Sequence, residues 1–215
     1  MIIGGQDKIS IALIENNRFI RSIWEMIFSE KNDFKLTGSY SSCEEAFKDD
    51  DIGKANLVLL DIKLPGMSGI DGIKYLKDRY PEQILIVSTM YDDDDNIFDA
   101  ILAGAAGFLP KKISAEYVIS SILEIIKGGS PMTPNVARII ISVLQKSADS
   151  HGKIKDELTS SEWKLLSNIS AGKSYSTIAE ELNVNAIQVL QYIRDIYNKI
   201  QSGFGCKEKK YPVKK

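Results

Sequence analysis

Short apolar runs alternate with amphipathic stretches through roughly the first 127 residues of the chain. Ile9–Ile14, Leu57–Leu60 and Ile84–Val87 are almost unbroken apolar runs of strand length. Phe34–Tyr40 is strand-like, and Gly107–Leu109 makes a short fifth strand. Between them, Arg18–Ser29 places Phe19, Ile20, Ile23, Trp24, Ile27 and Phe28 at helical spacing. Further helices are predicted over Ser42–Asp50, with Ser42 as its cap, and over Ile70–Arg79, which stops before Pro81. Two more run over Asn96–Ala103, closed by Gly104, and Ser114–Lys127, ended by Gly128 and Gly129. Strands that are continuously apolar are covered on both faces. Five strands alternating with five helices therefore predict an α/β fold, a doubly wound five-stranded parallel sheet.

The pattern changes after Gly129. One helix is predicted at about 132–145, then a polar stretch over Ser147–Lys155 reads as linker. Three helices follow at Ser160–Ala171, Ser174–Leu182 and Asn185–Ile200, which make a small all-α domain. The boundaries are 8–128 for the first domain, 129–157 for the linker with its helix, 158–202 for the second domain and 203–215 for a basic tail. The chain of 215 residues is long enough for two such modules.

Charge supports the division. Residues 1–150 hold 16 Lys+Arg against 22 Asp+Glu, whereas 151–215 hold 11 against 7, so a net of -2 hides an acidic front and a basic back. No apolar stretch approaches the ~20 residues needed to cross a bilayer. The first residues do not read as a signal peptide. Cys43 and Cys206 are far apart without metal-like spacing and read as free thiols. A cytoplasmic chain with no membrane partner is the expectation. Asp92–Asp95 lacks the glycine and terminal glutamate of a calcium loop and reads as solvated. His151, the one histidine, falls in the linker and excludes an internal phosphohistidine domain. Trp24 and Trp163 read as core residues.

In open parallel sheets, sites lie beyond the carboxyl ends of the strands. Glu15, Asp61, Thr89 and Lys111 each stand at or just after such an end. The run Val58-Leu59-Leu60-Asp61-Ile62-Lys63-Leu64-Pro65-Gly66-Met67-Ser68-Gly69-Ile70-Asp71-Gly72 resembles the receiver domain of two-component response regulators around its phosphoacceptor aspartate. Ile86-Val87-Ser88-Thr89-Met90 and Gly104-Ala105-Ala106-Gly107-Phe108-Leu109-Pro110-Lys111 extend the resemblance. Leu158 through Leu166, Gly172 through Leu182 and Asn185 through Ile200 resemble a LuxR-type helix-turn-helix, as in the NarL/FixJ type of regulator.

The resemblance implies a flavodoxin-like receiver in which Asp61 accepts a phosphoryl group from a sensor histidine kinase. Lys111 pairs with the incoming oxygens, Thr89 bonds the product phosphate, and Phe108 is the aromatic switch; Ser88 is the competing hydroxyl. Phosphorylation is expected to alter the face formed by Asn96–Ala103, Gly107–Leu109 and Ser114–Lys127. The implied metal is Mg²⁺, held by Glu15, Asn16, Asp61 and the backbone carbonyl of Lys63. Asn16 departs from the family, whose pattern carries two aspartates there. The cluster Glu15, Asn16, Asp61 is then one charge short. A unit pair at roughly 4 Å is worth about 4 kcal/mol at an effective dielectric of about 20. Weaker metal binding and slower phosphorylation are expected.

The implied role is a transcription regulator rather than an enzyme, bound to double-stranded DNA as a homodimer on activation, with no small-molecule substrate beyond a phosphodonor. Leu190, Gln191 and Arg194 are the base-reading candidates, and Thr177, Gln188, Tyr192 and Lys199 the backbone-contact candidates. Leu190 and Tyr192 depart from the family's frequent Lys and His, Asp195 puts a negative charge beside Arg194, and the family's last helix is not evident after Ile200. A phosphorylation-independent regulator, or a protein-interaction module that does not bind DNA, is the alternative. An aspartate-nucleophile phosphohydrolase is remote, because Lys63 stands where a second Asp is needed.

Overall fold

A computed structural model describes residues 8–89, 94–146 and 158–203. The expected five strands are β1 (Ile9–Ile14), β2 (Phe34–Tyr40), β3 (Leu57–Asp61), β4 (Ile84–Thr89) and β5 (Gly107–Pro110). All pair in parallel, in the order β2-β1-β3-β4-β5. The strands β3 and β5 are buried along their whole length, as continuous apolar runs require.

Helices cover both faces. On one side α1 (Arg18–Ser29) and α5 (Ala115–Ile126) pack Trp24, Ile27, Phe28, Val118 and Ile122 against Ile11, Leu13, Leu57 and Leu59. On the other, α3 (Gly69–Arg79) and α4 (Asp94–Ala103) pack Ile73, Leu76, Ile97 and Ile101 against Ile14, Leu60, Leu85 and Val87. The Ser42–Asp50 expectation is only half met. Cys43–Ala46 forms a four-residue helix, α2, capped by Ser42, and a 3-10 turn at Asp50–Lys54 follows. The Asp49 side chain accepts from Asp51 N–H and starts that second turn, so the chain cannot continue as one helix.

The helix α6 (Pro134–Lys146) begins on a proline, where a missing N–H costs nothing. The second domain is α7 (Ser160–Ser170), α8 (Tyr175–Leu182) and α9 (Ala186–Gly203). Asn183 closes α8 in the left-handed conformation, which gives the tight turn into α9. α9 runs three residues past the Ile200 expected from the sequence. The expected linker core, His151 and most of the basic tail lie outside the described residues. The two domains share one continuous apolar cluster: Phe108 and Ile101 of the first domain join Met132, Val136 and Ile140 and then Val189, Ile193 and Tyr197 of the second.

Candidate functional site

β3 delivers Asp61 to the carboxyl rim of the sheet, where the residue is only 6% exposed. The next turn is built around it. Gly69 N–H donates to the Ile62 carbonyl at 2.9 Å, and a Cβ on Gly69 would collide with the Asp61 carbonyl oxygen, so only glycine lets the loop close there. Ser68 then caps α3 by accepting from Asp71 N–H. From α2, the Glu44 carboxylate accepts from Met67 N–H at 2.8 Å. Hydrogen bonds from its own backbone N–H and from Met67 N–H hold the Glu44 carboxyl below its ordinary value. The sequence reading gave Glu44 no role, and its position in a short helix offers no signal for one.

Lys111, the residue after β5, reaches back across the rim. Its Nζ lies 2.6 Å from Asp61 Oδ2 and 2.8 Å from Glu15 Oε2, and all three side chains are less than a tenth exposed. Lys63 N–H donates to the other Asp61 oxygen at 3.2 Å. The other Glu15 oxygen accepts from Asn17 N–H at 2.9 Å. The neighbouring Asn16 side chain is exposed. Arg21, on the first turns of α1, donates to the Glu15 and Asn16 carbonyls, so a guanidinium also stands at this rim. Asn17 caps α1 with its side chain.

Three of the four rim residues expected from the sequence, Glu15, Asp61 and Lys111, are therefore gathered in one buried cluster. Thr89 ends β4, and its backbone pairs with Pro110; its side chain lies outside the described residues. Ser88 pairs directly with Asp61, and its hydroxyl is buried without a hydrogen-bond partner among the described residues. Among the described residues, no group of three His, Cys, Asp or Glu could hold a metal. The donors here are two carboxylates, an amide and backbone carbonyls, all oxygen, which suits a hard divalent cation but with little charge.

Phe108 on β5 is buried, and its ring packs at 6.5 Å, centroid to centroid, against Tyr197 of α9. The same helix makes two polar contacts to the first domain: Arg194 Nη1 donates to the Gly128 carbonyl at 3.2 Å, and Gln201 Nε2 to the Ala105 carbonyl at 3.1 Å. Leu190 lies over Gly129, where an added Cβ would stand 3.0 Å from Leu190 Cβ. Burial pushes the Tyr197 phenol well above its ordinary pKa, and its hydroxyl has no hydrogen-bond partner among the described residues. The α4 and β5 part of the face expected to respond to phosphorylation is thus in contact with α9 and α6. Neither Tyr197, Gln201 nor Gly129 carried a sequence signal for this contact.

The nucleic-acid candidates are dispersed. Leu190 is half-buried over Gly129, while Arg194, which donates to the Gly128 carbonyl, and Gln191 are both exposed. Gln188 exchanges hydrogen bonds with Asn185 at the start of α9, and Thr177 donates its backbone N–H to the cap Ser174. Tyr192 is half-buried. Lys199 pairs with Glu162 at 2.8 Å. Glu162 is buried and closes a capping box with Thr159. That Thr-x-x-Glu pattern is a signal the sequence does carry.

The family description "Response regulator receiver domain" matches residues 11–123. The chain belongs to the response regulators. It is 27% identical over 192 residues to the transcriptional regulatory protein LiaR of Bacillus subtilis, covering 89% of this chain and 90% of the relative. It is 22% identical over 209 residues to the transcriptional regulatory protein DegU of Brevibacillus brevis, covering 91% and 89%. Among solved structures it is similar to the response regulator ChrA of a heme-sensing two-component system, with a TM-score of 0.54, 20% identity and coverage of 91% and 96%. It is also similar to the response regulator RcsB in a DNA complex, with a TM-score of 0.53, 18% identity and coverage of 91% and 93%. The receiver fold followed by an all-helical region agrees with these structures. No described helix is long and apolar enough to cross a membrane.

Proposed function

We propose that this response regulator is a DNA-binding transcription factor whose receiver holds the recognition helix α9 closed until Asp61 is phosphorylated. One observation carries the reading: Arg194 and Leu190, two of the side chains suited to reading bases, are seated on the receiver at Gly128 and Gly129. While those two contacts hold, Leu190 and Arg194 cannot reach base edges in a major groove, although Gln188 and Gln191 on the same helix stay exposed.

The rim cluster supplies the trigger. Asp61 attacks the phosphorus of a sensor kinase's phosphohistidine, the P–N bond breaks, and an aspartyl phosphate forms. Lys111 offsets the charge of the incoming oxygens. Asp61, Glu15, the Asn16 amide and the Lys63 carbonyl would hold Mg²⁺, which supplies further charge neutralisation, and the missing second aspartate weakens that binding. Thr89 or Ser88 donates to the new phosphate. The displaced hydroxyl alters the packing around Phe108, and Phe108 touches α9 directly through Tyr197. The switch therefore needs no intermediary between receiver and recognition helix.

Closure rests on the apolar cluster that spans both domains, and its polar component is weak. Its polar contacts are two neutral-acceptor hydrogen bonds, each worth about 0.5–1.5 kcal/mol net. The orphaned Tyr197 hydroxyl offsets part of that. A shift of a few kcal/mol by phosphate is enough to invert the population.

An electrophoretic shift with genomic DNA fragments, with and without acetyl phosphate, tests the proposal. Binding should rise with acetyl phosphate in the wild type and not in Asp61→Asn. Equal binding in all four samples overturns it.

A second reading, a regulator that contacts protein instead of DNA, is favoured by the charge of the helical domain. Residues 158–203 carry four cations and four anions. Each cation is engaged: Lys164 on the Glu181 carbonyl, Lys173 on the Glu181 carboxylate, Arg194 on Gly128 and Lys199 on Glu162. Failure to bind DNA under any phosphorylation state would select this reading.

A further inference from the structure

The opening turns of α9 are chemically one-sided. Residues 186–193 contain no charged side chain, and the first charge on the helix is Arg194. This stretch cannot meet a phosphate as a charge. What it presents is apolar surface and carboxamides.

Helical spacing sorts those side chains. Val189, Ile193, Ile196 and Ile200 make the buried stripe. On the other side Ile187, Leu190, Gln191 and Arg194 fall at i, i+3, i+4 and i+7 and form a second stripe. The receiver takes one edge of it, with Leu190 half-buried over Gly129 and Arg194 on the Gly128 carbonyl. The other edge is open. Ile187 is 67% exposed and is the one exposed large hydrophobic side chain among the described residues of the helical domain. A lone exposed isoleucine is ordinary. Its neighbour one turn on gives it meaning. Gln191 is exposed, and its carboxamide makes no hydrogen bond among the described residues. Gln188 is different. Its side-chain oxygen accepts from Asn185 N–H at 2.9 Å, while the Asn185 side chain accepts from Gln188 N–H at 2.9 Å. Gln188 is therefore committed to capping the helix, and Gln191 is the free amide.

A free amide beside an apolar tip matches one kind of base pair. In the major groove adenine offers the N7 acceptor next to the N6–H donor, which a carboxamide meets with two hydrogen bonds, and thymine alone carries a methyl group. A G·C pair has no methyl, and guanine's two acceptors set O6 against the amide's own oxygen. We infer that Ile187 and Gln191 are the specificity-determining pair of α9 and select successive A·T pairs. Gln191 bonds N6 and N7 of an adenine, and Ile187 packs on the methyl of a neighbouring thymine. Leu190, freed from Gly129 on opening, extends the same apolar strip. The inference rests on the DNA-binding reading and names the sequence class which that site prefers.

Selection of duplexes from a random-sequence library by the full chain, with and without acetyl phosphate, is the test. Recovered half-sites should share at least two A·T pairs in succession. Ile187→Ala should relax the thymine position, and Gln191→Ala the adenine position. Fluorescence anisotropy with modified versions of a recovered duplex then isolates single atoms. Deoxyuridine in place of thymidine removes only the methyl. It should weaken wild-type binding about three- to fivefold, the worth of one buried methyl group, and leave Ile187→Ala unaffected. 7-Deazaadenine removes only the N7 acceptor. It should weaken wild type about fivefold, at the lower end of what a bidentate pair contributes, and leave Gln191→Ala unaffected. Both side chains are exposed, so either variant should melt at the wild-type temperature.

Recovered sites with G·C pairs at these positions overturn the inference and leave DNA binding standing. So does a duplex whose affinity is indifferent to deoxyuridine and to 7-deazaadenine, or an Ile187→Ala chain that selects the wild-type sequence unchanged. Retention of no duplex, with or without acetyl phosphate, overturns the DNA-binding reading and this inference together.

Discussion

Substituting Gly129 tests closure without touching any side chain that would read DNA. A Cβ built on Gly129 lies 3.0 Å from Leu190 Cβ, 3.3 Å from Leu190 Cδ1 and 3.1 Å from the Glu124 carbonyl oxygen. Ordinary contacts between such atoms start near 3.5 Å, so Gly129→Ala must push α9 away by several tenths of an ångström. Overpacking of this kind costs about 1–3 kcal/mol. The Leu190 share of that penalty applies only while α9 is docked, whereas the Glu124 contact lies within the receiver and is present in both states. Against it stand the Arg194 and Gln201 hydrogen bonds, about 0.5–1.5 kcal/mol each, and the Phe108–Tyr197 ring contact, about 0.5–1.5 kcal/mol beyond its area. The two sides are of similar size, so Gly129→Ala should raise the open population by roughly 5- to 150-fold, at 1.4 kcal/mol per factor of ten. Binding of unphosphorylated chain to duplex DNA, followed by fluorescence anisotropy, should tighten by the same factor until the open form predominates. The substitution also reduces the freedom of the unfolded chain, which favours folding by about 0.4–1 kcal/mol. Global unfolding should therefore change little while the solution radius from X-ray scattering grows. An unphosphorylated Gly129→Ala chain that is no more open and binds DNA no better than wild type would refute the argument that this contact holds the helix.

Lys111→Met leaves Asp61 and Glu15 facing each other with under a tenth of either side chain exposed. Loss of acetyl-phosphate labelling and a stability cost of about 3 kcal/mol in urea unfolding are expected. In the helical domain, burial raises the Glu162 carboxyl, but the Lys199 ammonium and the Thr159 amide and hydroxyl outweigh it and hold the group below its ordinary value of 4.5. Its contribution is present above pH 4.5 and is lost as pH falls through the lower folded value. Stability of wild type should therefore drop more steeply than that of Glu162→Gln on acidification from pH 4.5, read by thermal melts across that range. Finally, residues 204–215 hold five lysines and one glutamate, whereas residues 158–203 are neutral. Changing Lys207, Lys209, Lys210, Lys214 and Lys215 to Gln should flatten the salt dependence of DNA binding, by up to about 4.5 in the log–log slope at ~0.9 per phosphate contact. An unchanged slope would place the phosphate contacts elsewhere.

Much of the receiver was legible because its rules are local. Continuous apolar runs fix buried strands, and Gly104 and the Gly128-Gly129 pair fix helix ends. Asp61 and Lys111 announce themselves by position at strand ends. The missed features depend on distant parts of the chain. The split of Ser42–Asp50 turns on an Asp49 side chain that captures a backbone N–H rather than leaving it to the helix. Arg21 reaches two carbonyls at the acidic rim, and nothing in a helix-period pattern distinguishes it from a solvated charge. Asn16 was legible as a departure, and its exposure agrees with a residue that does not belong to the buried triad. Docking of α9 was not legible at all. Its buried stripe, Val189, Ile193, Ile196 and Ile200, is the one that any three-helix domain would show.

That silence has a physical origin, and it bears on how the protein is regulated. The side chains that suit a DNA groove, a guanidinium with a fork of donors and a leucine that can meet a methyl group, equally suit a glycine-lined notch with an open carbonyl. In the proposed reading Arg194 and Leu190 serve both surfaces, so the receiver and the DNA compete for one set of contacts rather than communicating along a path. Competition makes the coupling thermodynamically reciprocal. Whatever free energy phosphorylation contributes toward releasing α9 is the free energy by which bound DNA must favour the phosphorylated receiver. The size of that coupling cannot exceed the free energy of closure, since beyond that point α9 is already free. Closure sets two hydrogen bonds and the apolar cluster that spans both domains against a buried Tyr197 hydroxyl that has no partner among the described residues. The open fraction at rest is set by that balance, and basal DNA occupancy that rises with the concentration of the unphosphorylated chain would measure it.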